Sequence, residues 1–398
     1  MGNPNTVCLV LLAAVLFGAV AHAQDKDRNV SFDVFLFNQE DDGGNEIFNE
    51  EFTYVGARAA AKFKVTNILT LRPTAIISTI EPGRAVDAPD TITNANSKIT
   101  NATTASASAT NVTLSCVADI RPEDSDWTCS PGAYFAYQPT YVSRGLDFAA
   151  KGELAGGDFT PFFSYGLRWD SLTGGNLRLA GIFGGKLKGA DIDDGFDRKL
   201  RNRVTHNLQF GFTQVLSPEW LIGASLQYTR QDGYLATPNE QVTLYSGDTP
   251  VLFSDERLPN SRNRLQLNFR VRYSPLLFFS LGMDHSAYLD DWSVQNYAIE
   301  PNLQGSFGIP EARWHLWYRF AYQDGTRFHR NKPGKAYKFQ TDDPDLGTFR
   351  THNGGAVFTF DMPETQGYRW LLTVSANAMY RTDGIWGYGF LVGSEFGW

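Results

Sequence analysis

The amino-acid sequence predicts an all-β protein, a transmembrane antiparallel up-and-down β-barrel of about sixteen strands, with roughly fourteen or eighteen as the neighbouring possibilities. Three observations predict it. After residue 23 there is no run of 18 consecutive apolar residues, so no helix can span a bilayer and any crossing must use strands. Many segments alternate apolar with polar residues over at least the roughly 9 to 11 residues that a tilted strand needs to cross, whereas soluble strands stop near about 5 or 6. Aromatics gather where such segments end, at Trp220, Tyr273, Trp314, Tyr322, Trp370 and Trp386, as interfacial girdles require.

Composition agrees. The 398 residues carry 43 Asp plus Glu against 35 Lys plus Arg, 42% hydrophobic and 14% aromatic residues, which disfavours disorder and charge-driven nucleic-acid binding. With 37 Gly, 29 Phe, 17 Tyr, four Met and a mean hydropathy of -0.29, the chain suits strands better than apolar helices.

The first element is an apolar stretch from Val7 to Val20, leading into the small-x-small site Ala21-His22-Ala23 and the charged Asp25-Lys26-Asp27-Arg28. It predicts a secretory signal over residues 1–23, cleaved after Ala23, and a barrel over residues 24–398. Met1-Gly2 also fits an acylation pattern, but an export-type apolar stretch follows at once. In the mature chain Cys116 and Cys129 remain, inside a polar stretch, and an exported protein with two such cysteines is expected to join them as a disulfide stapling a loop.

The strands follow in order. Residues 30–38 and 132–142 alternate weakly; Leu208, Phe210 and Phe212 alternate well, as do Trp220, Ile222, Leu226 and Tyr228. In Arg264–Tyr273 every second residue is apolar and every intervening one is polar or cationic, and Arg313–Tyr322 repeats this with aromatics on the oily side. Tyr297, Ile299, Leu303 and Phe307 follow, then Trp370, Leu372, Val374 and Tyr380. Short periplasmic turns are expected at Thr66-Asn67, near Ser143-Arg144-Gly145, at Thr173-Gly174-Gly175, Ser217-Pro218, Ser274-Pro275 and Pro310-Glu311, and near Pro363-Glu364. External loops are expected at 39–49, 82–131, 190–203, 233–261 and 326–347, with brief external links at Gly156-Gly157, Asp290-Asp291 and Asp383-Gly384. Both termini then fall on the periplasmic side. The closing segment keeps aromatics on alternate positions to Phe396 and Trp398, an ending similar to the signal that the barrel assembly machinery of a bacterial outer membrane reads.

Tyr141-Val142-Ser143-Arg144-Gly145-Leu146, Thr213-Gln214-Val215-Leu216-Ser217-Pro218, Arg257-Leu258-Pro259 with Arg262 and Arg264, and Asp291-Trp292 together resemble, in order across residues 140–325, a family of bacterial outer-membrane barrels known as a domain of unknown function. The resemblance implies a barrel in the outer membrane, in contact with its lipid, and transfers no chemistry.

Alternation places Arg58, Lys62, Lys64, Arg72, Lys151, Arg168, Arg178, Lys186, Lys188, Arg264, Arg270, Arg272, Arg313, Arg319, Arg369 and Arg381 on the polar face with His315, against Asp147, Glu153, Asp170, Asp284, Glu300 and Glu395. A barrel of this size encloses a lumen. The excess of cations predicts a porin-like passive channel for small solutes that prefers anions. The alternative is a plugged barrel, its charges paired, acting as a scaffold for a periplasmic or surface partner. Catalysis is not expected: in Asp284-His285-Ser286 neighbouring side chains point to opposite faces. No nucleotide-binding loop, haem-attachment motif or metal-ligand spacing appears, so no cofactor or metal is expected.

Overall fold

The computed structural model describes residues 28–41, 51–82, 109–172, 200–237, 241–309, 311–365 and 368–397. The strands are β1 (Asn29–Asp41), β2 (Phe52–Lys64), β3 (Leu69–Pro82), β4 (Ala109–Ile120), β5 (Trp127–Gln138), β6 (Tyr141–Gly152), β7 (Phe159–Leu172), β8 (Arg201–Ser217), β9 (Trp220–Gly233), β10 (Gln241–Ser246), β11 (Thr249–Asp255), β12 (Ser261–Leu276), β13 (Phe279–Asp290), β14 (Gln295–Ser306), β15 (Ala312–Asp324), β16 (Phe349–Thr365), β17 (Tyr368–Arg381) and β18 (Ile385–Gly397). All but β10 and β11 close into one antiparallel barrel, each strand pairing with its sequence neighbours, β9 with β12, and β1 with β18. β10 and β11 form a separate hairpin within the connection from β9 to β12.

Register fixes which face each residue takes, because a cross-strand pair shares a face. Leu36, Leu114, Phe148, Phe210, Leu267, Phe269, Leu303, Leu316, Val374 and Phe390 are exposed on the outside, an apolar belt that only lipid can cover. Trp220 stacks on Tyr273 with ring centroids 4.4 Å apart, and Trp370 on Phe396 at 5.6 Å. Both pairs lie near the rim where the chain ends, below called the terminal rim.

The strand assignment differs from expectation in two places that offset each other. The stretch 82–131 is not one loop: β4 and the start of β5 lie inside it, and Asp119 on β4 holds Arg72 of β3 and Ser130 of β5. In place of a strand between Thr173-Gly174-Gly175 and the loop at 190–203, β7 pairs directly with β8. Residues 173–199 lie outside the described residues. Consequently β5, β6 and β7 run opposite to the expected direction. The link at Gly156-Gly157 lies at the terminal rim, and the connection after β7 at the opposite, loop rim. Ser143-Arg144-Gly145 is strand, not turn; Gly145 is there because the Arg168 guanidinium crosses its face, where a Cβ would lie 2.5 Å from it. Ser274-Pro275 ends β12 beside a register shift, and the turn itself is Leu277-Phe278.

The cysteines do not staple a loop. Both are free thiols, and the register sets Cys116 opposite Ala133 and Cys129 opposite Ile120. Four residues of strand separate them, about 13 Å. A disulfide needs Cα atoms within about 7 Å.

Candidate functional site in the lumen

Inside the wall, cations and carboxylates on neighbouring strands face one another. On β12 and β13, the Arg270 Nε lies 2.7 Å from Asp284 Oδ1 and Arg272 Nη2 lies 2.8 Å from Asp284 Oδ2. Asn302 of β14 donates to the same carboxylate at 3.3 Å. Gly282 opens the space that Arg272 and Asn302 share, because a side chain there would collide with both. One strand on, Arg319 reaches Glu300 at 3.4 Å and donates to Ser286 Oγ at 3.2 Å.

The ladder continues round the wall. Arg58 pairs with Asp33 at 2.6 Å, Arg72 with Asp119 at 2.7 Å, Arg168 with Asp147 at 2.9 Å and Arg203 with Asp170 at 2.7 Å. Arg369 pairs with Asp361, and Arg262 with Asp290. Asp33, Asp119, Asp290 and Asp361 are inward carboxylates that the alternation pattern missed. Asp33 sat in a weakly alternating strand, Asp119 inside the expected loop 82–131, and Asp290 and Asp361 beside turns; only the register brings each to an arginine.

Arg168, Arg264, Arg270, Arg272, Asp284, Glu300, Arg313, His315 and Arg319 share this inner face, whereas Arg178, Lys186 and Lys188 lie outside the described residues. Arg313 and Lys62 make no ion pair among the described residues, and Arg264 Nε is buried there without a hydrogen-bond partner. His285 points outward and bonds Tyr297 at 3.1 Å, away from Asp284 and Ser286. Among the described residues no group of three or more His, Cys, Asp or Glu is placed to hold a metal.

The two rims differ. A cavity of 1130 Å³ opens at the terminal rim, between the turns after β8, β12 and β14 and the inward residues Ser280, Gln304, Arg313, His315, Val357, Thr359 and Leu371. At the loop rim residues 234–237 and 241–260 of one connection and 325–348 of a second pack into a cap with a core of Ala236, Leu258, Trp292 and Phe328. Trp292 meets Phe328 edge-on at 5.9 Å. The backbones of Arg257 and Gln340 exchange hydrogen bonds of 3.0 and 2.7 Å, and Thr341 donates to Glu256 at 2.5 Å. Arg381 of β17 clamps the second connection through Asp345 at 2.5 Å.

Burial acts on the acids of this cap. It pushes the Asp342 carboxyl up to about 6 and, with Asp345 and Glu256 adding their charges, the Asp343 carboxyl up to about 7. Glu256 is raised by the same cause, against hydrogen bonds from Thr341 and the Thr237 backbone.

Residues 108–359 match the model of a family of proteins of unknown function, DUF3570. The chain belongs to the DUF3570 family. Among curated proteins none is similar in sequence. Solved structures similar to this DUF3570 barrel include OpdQ of Pseudomonas aeruginosa, at 9% identity and a TM-score of 0.43 over 94% of this chain and 98% of that one. OccAB4 of Acinetobacter baumannii is 8% identical, TM-score 0.41, over 94% and 98%. The siderophore receptor PirA of Pseudomonas aeruginosa is 10% identical, TM-score 0.42, over 90% of this chain; the DUF3570 chain spans 57% of that receptor's length.

Proposed function

We propose that this DUF3570 protein is a bacterial outer-membrane channel through which small solutes pass passively, with a modest preference for anions. The observation that carries the reading is the closed sixteen-stranded wall, apolar outside and charged inside, with a 1130 Å³ cavity opening at one rim. Ion pairs neutralise most of the lumen, so the preference rests on Arg313, Lys62 and Arg264 and is weaker than the raw surplus of cations suggests. Outer-membrane lipid contacts the belt, and the barrel assembly machinery reads the last strand through Phe396 and Trp398, the latter outside the described residues. The chemistry we assign is passage, not catalysis.

A second reading, a closed barrel that holds a periplasmic or surface protein, draws on the cap at the loop rim. Planar-bilayer recording separates the two. A channel gives steady conductance and, in a salt gradient, a reversal potential on the anion-selective side. Reversal on the cation side removes the anion preference, and absence of conductance from correctly folded protein leaves the scaffold.

A further inference from the structure

Arg313 stands apart from the other arginines of the lumen. Its strand neighbours on the inner face carry no acid: Ser306 lies opposite on β14 and Thr359 opposite on β16. Asp361, two residues beyond Thr359 and near enough to feel the Arg313 charge, is held by Arg369. Two residues along the same face, His315 lies opposite Gln304 and Val357. Gln304 is fixed by its hydrogen bond to Ser280 at 3.3 Å. Arg313, Ser306, Thr359, His315, Gln304 and Ser280 line the 1130 Å³ cavity at the terminal rim, together with the apolar Val357 and Leu371 and with Glu219.

A concavity that joins apolar wall to a guanidinium held in no ion pair among the described residues and to a second nitrogen donor matches a particular kind of ligand. We propose that this vestibule binds small organic carboxylates with an apolar body, the carboxylate on Arg313 and His315 and the body against Val357 and Leu371. The guanidinium fork donates to both carboxylate oxygens. Fully hydrated inorganic anions have nothing to set against the apolar wall, so the site discriminates by the ligand's body as well as its charge.

The inference deepens the channel reading, and it is tested by binding rather than by current. Intact barrel in detergent is titrated calorimetrically with benzoate and, separately, with acetate. Benzoate is expected to bind at least tenfold more tightly than acetate. Arg313→Gln is expected to reduce benzoate affinity at least tenfold, His315→Gln severalfold, and Lys62→Gln, which removes an inward cation on β2, away from the cavity, less than twofold. Heat-modifiable mobility on gels verifies that each variant is folded. Equal losses in Arg313→Gln and Lys62→Gln would mean diffuse attraction and overturn the site. Equal affinity for acetate overturns the role of the apolar wall. No benzoate binding by a parent barrel that conducts overturns the site and leaves the channel standing, whereas binding without conductance supports the site and removes the channel.

Discussion

Asp290 engages both carboxylate oxygens at once. One accepts from Arg262 and from the Tyr288 hydroxyl at 2.9 Å, the other from the backbone N–H groups of Trp292 and Val294 at 3.0 and 2.8 Å. The Arg262 guanidinium lies 4.4 Å from the centroid of Trp292, and the pair is buried, at 9% and 0% side-chain exposure. Removing one partner of such a pair strands a buried charge, which costs about 3–5 kcal/mol. Asp290→Ala is therefore expected to lower the unfolding free energy by that amount in a denaturant titration, while Asp324→Ala at the exposed end of β15 changes it by about 0.5 kcal/mol or less. Sequence alone placed Asp290 in a turn, and rightly: β13 ends there. It could not show that the same carboxylate faces Arg262, because that needs the offset between β12 and β13.

At the scale of elements, the cap responds to pH in a direction that follows from burial. Asp342 and Asp343 are raised above their unfolded value of 3.8, to about 6 and about 7. The folded cap thus binds protons more tightly than the open chain. Its stabilisation is complete below about pH 4 and is lost as pH rises through about 6 to 7. Hydrogen exchange across 325–348, corrected for the intrinsic rate, is expected to be slowest at about pH 4 and to quicken steadily toward pH 8; Asp343→Asn should flatten that profile, and an unchanged profile would exclude Asp343 as its source. The β4–β5 pair gives a second element-scale prediction. Four residues of register keep Cys116 and Cys129 apart, so purified barrel is expected to run identically with and without reductant, and both thiols, which point toward lipid, to react with an apolar maleimide in detergent. β4 itself was poorly legible, since its outward series of Val112, Leu114, Cys116, Ala118 and Ile120 is interleaved with small polar residues and follows a Thr/Ser/Ala-rich run.

For the whole molecule, closure explains why the terminal strands matter. β18 pairs along its length with both β17 and β1, so Phe396 stands opposite Trp370 on one side and Val30 on the other. A closed sheet leaves no edge to aggregate. The bore that closure creates is polar but nearly neutral over much of its wall, with the open cavity at one rim and the two-connection cap at the other. In the channel we propose, selectivity would be set by the few cations left over after pairing. Their number cannot be read from a count of inward residues.

The alternation of apolar and polar residues by itself determined the class of fold, the approximate number of strands, the apolar belt and most of the inward face, because side-chain direction along a strand depends only on parity. Tertiary structure alone decided which strands are neighbours and at what offset. That decision exchanged one strand for another while keeping the total, separated the two cysteines, and turned a surplus of inward arginines into a ladder of ion pairs with Arg313 left outside it. The physical reason is that pairing energy between charges depends on distance across the sheet, and cross-strand distance is set by register, a property of two segments together that neither carries alone.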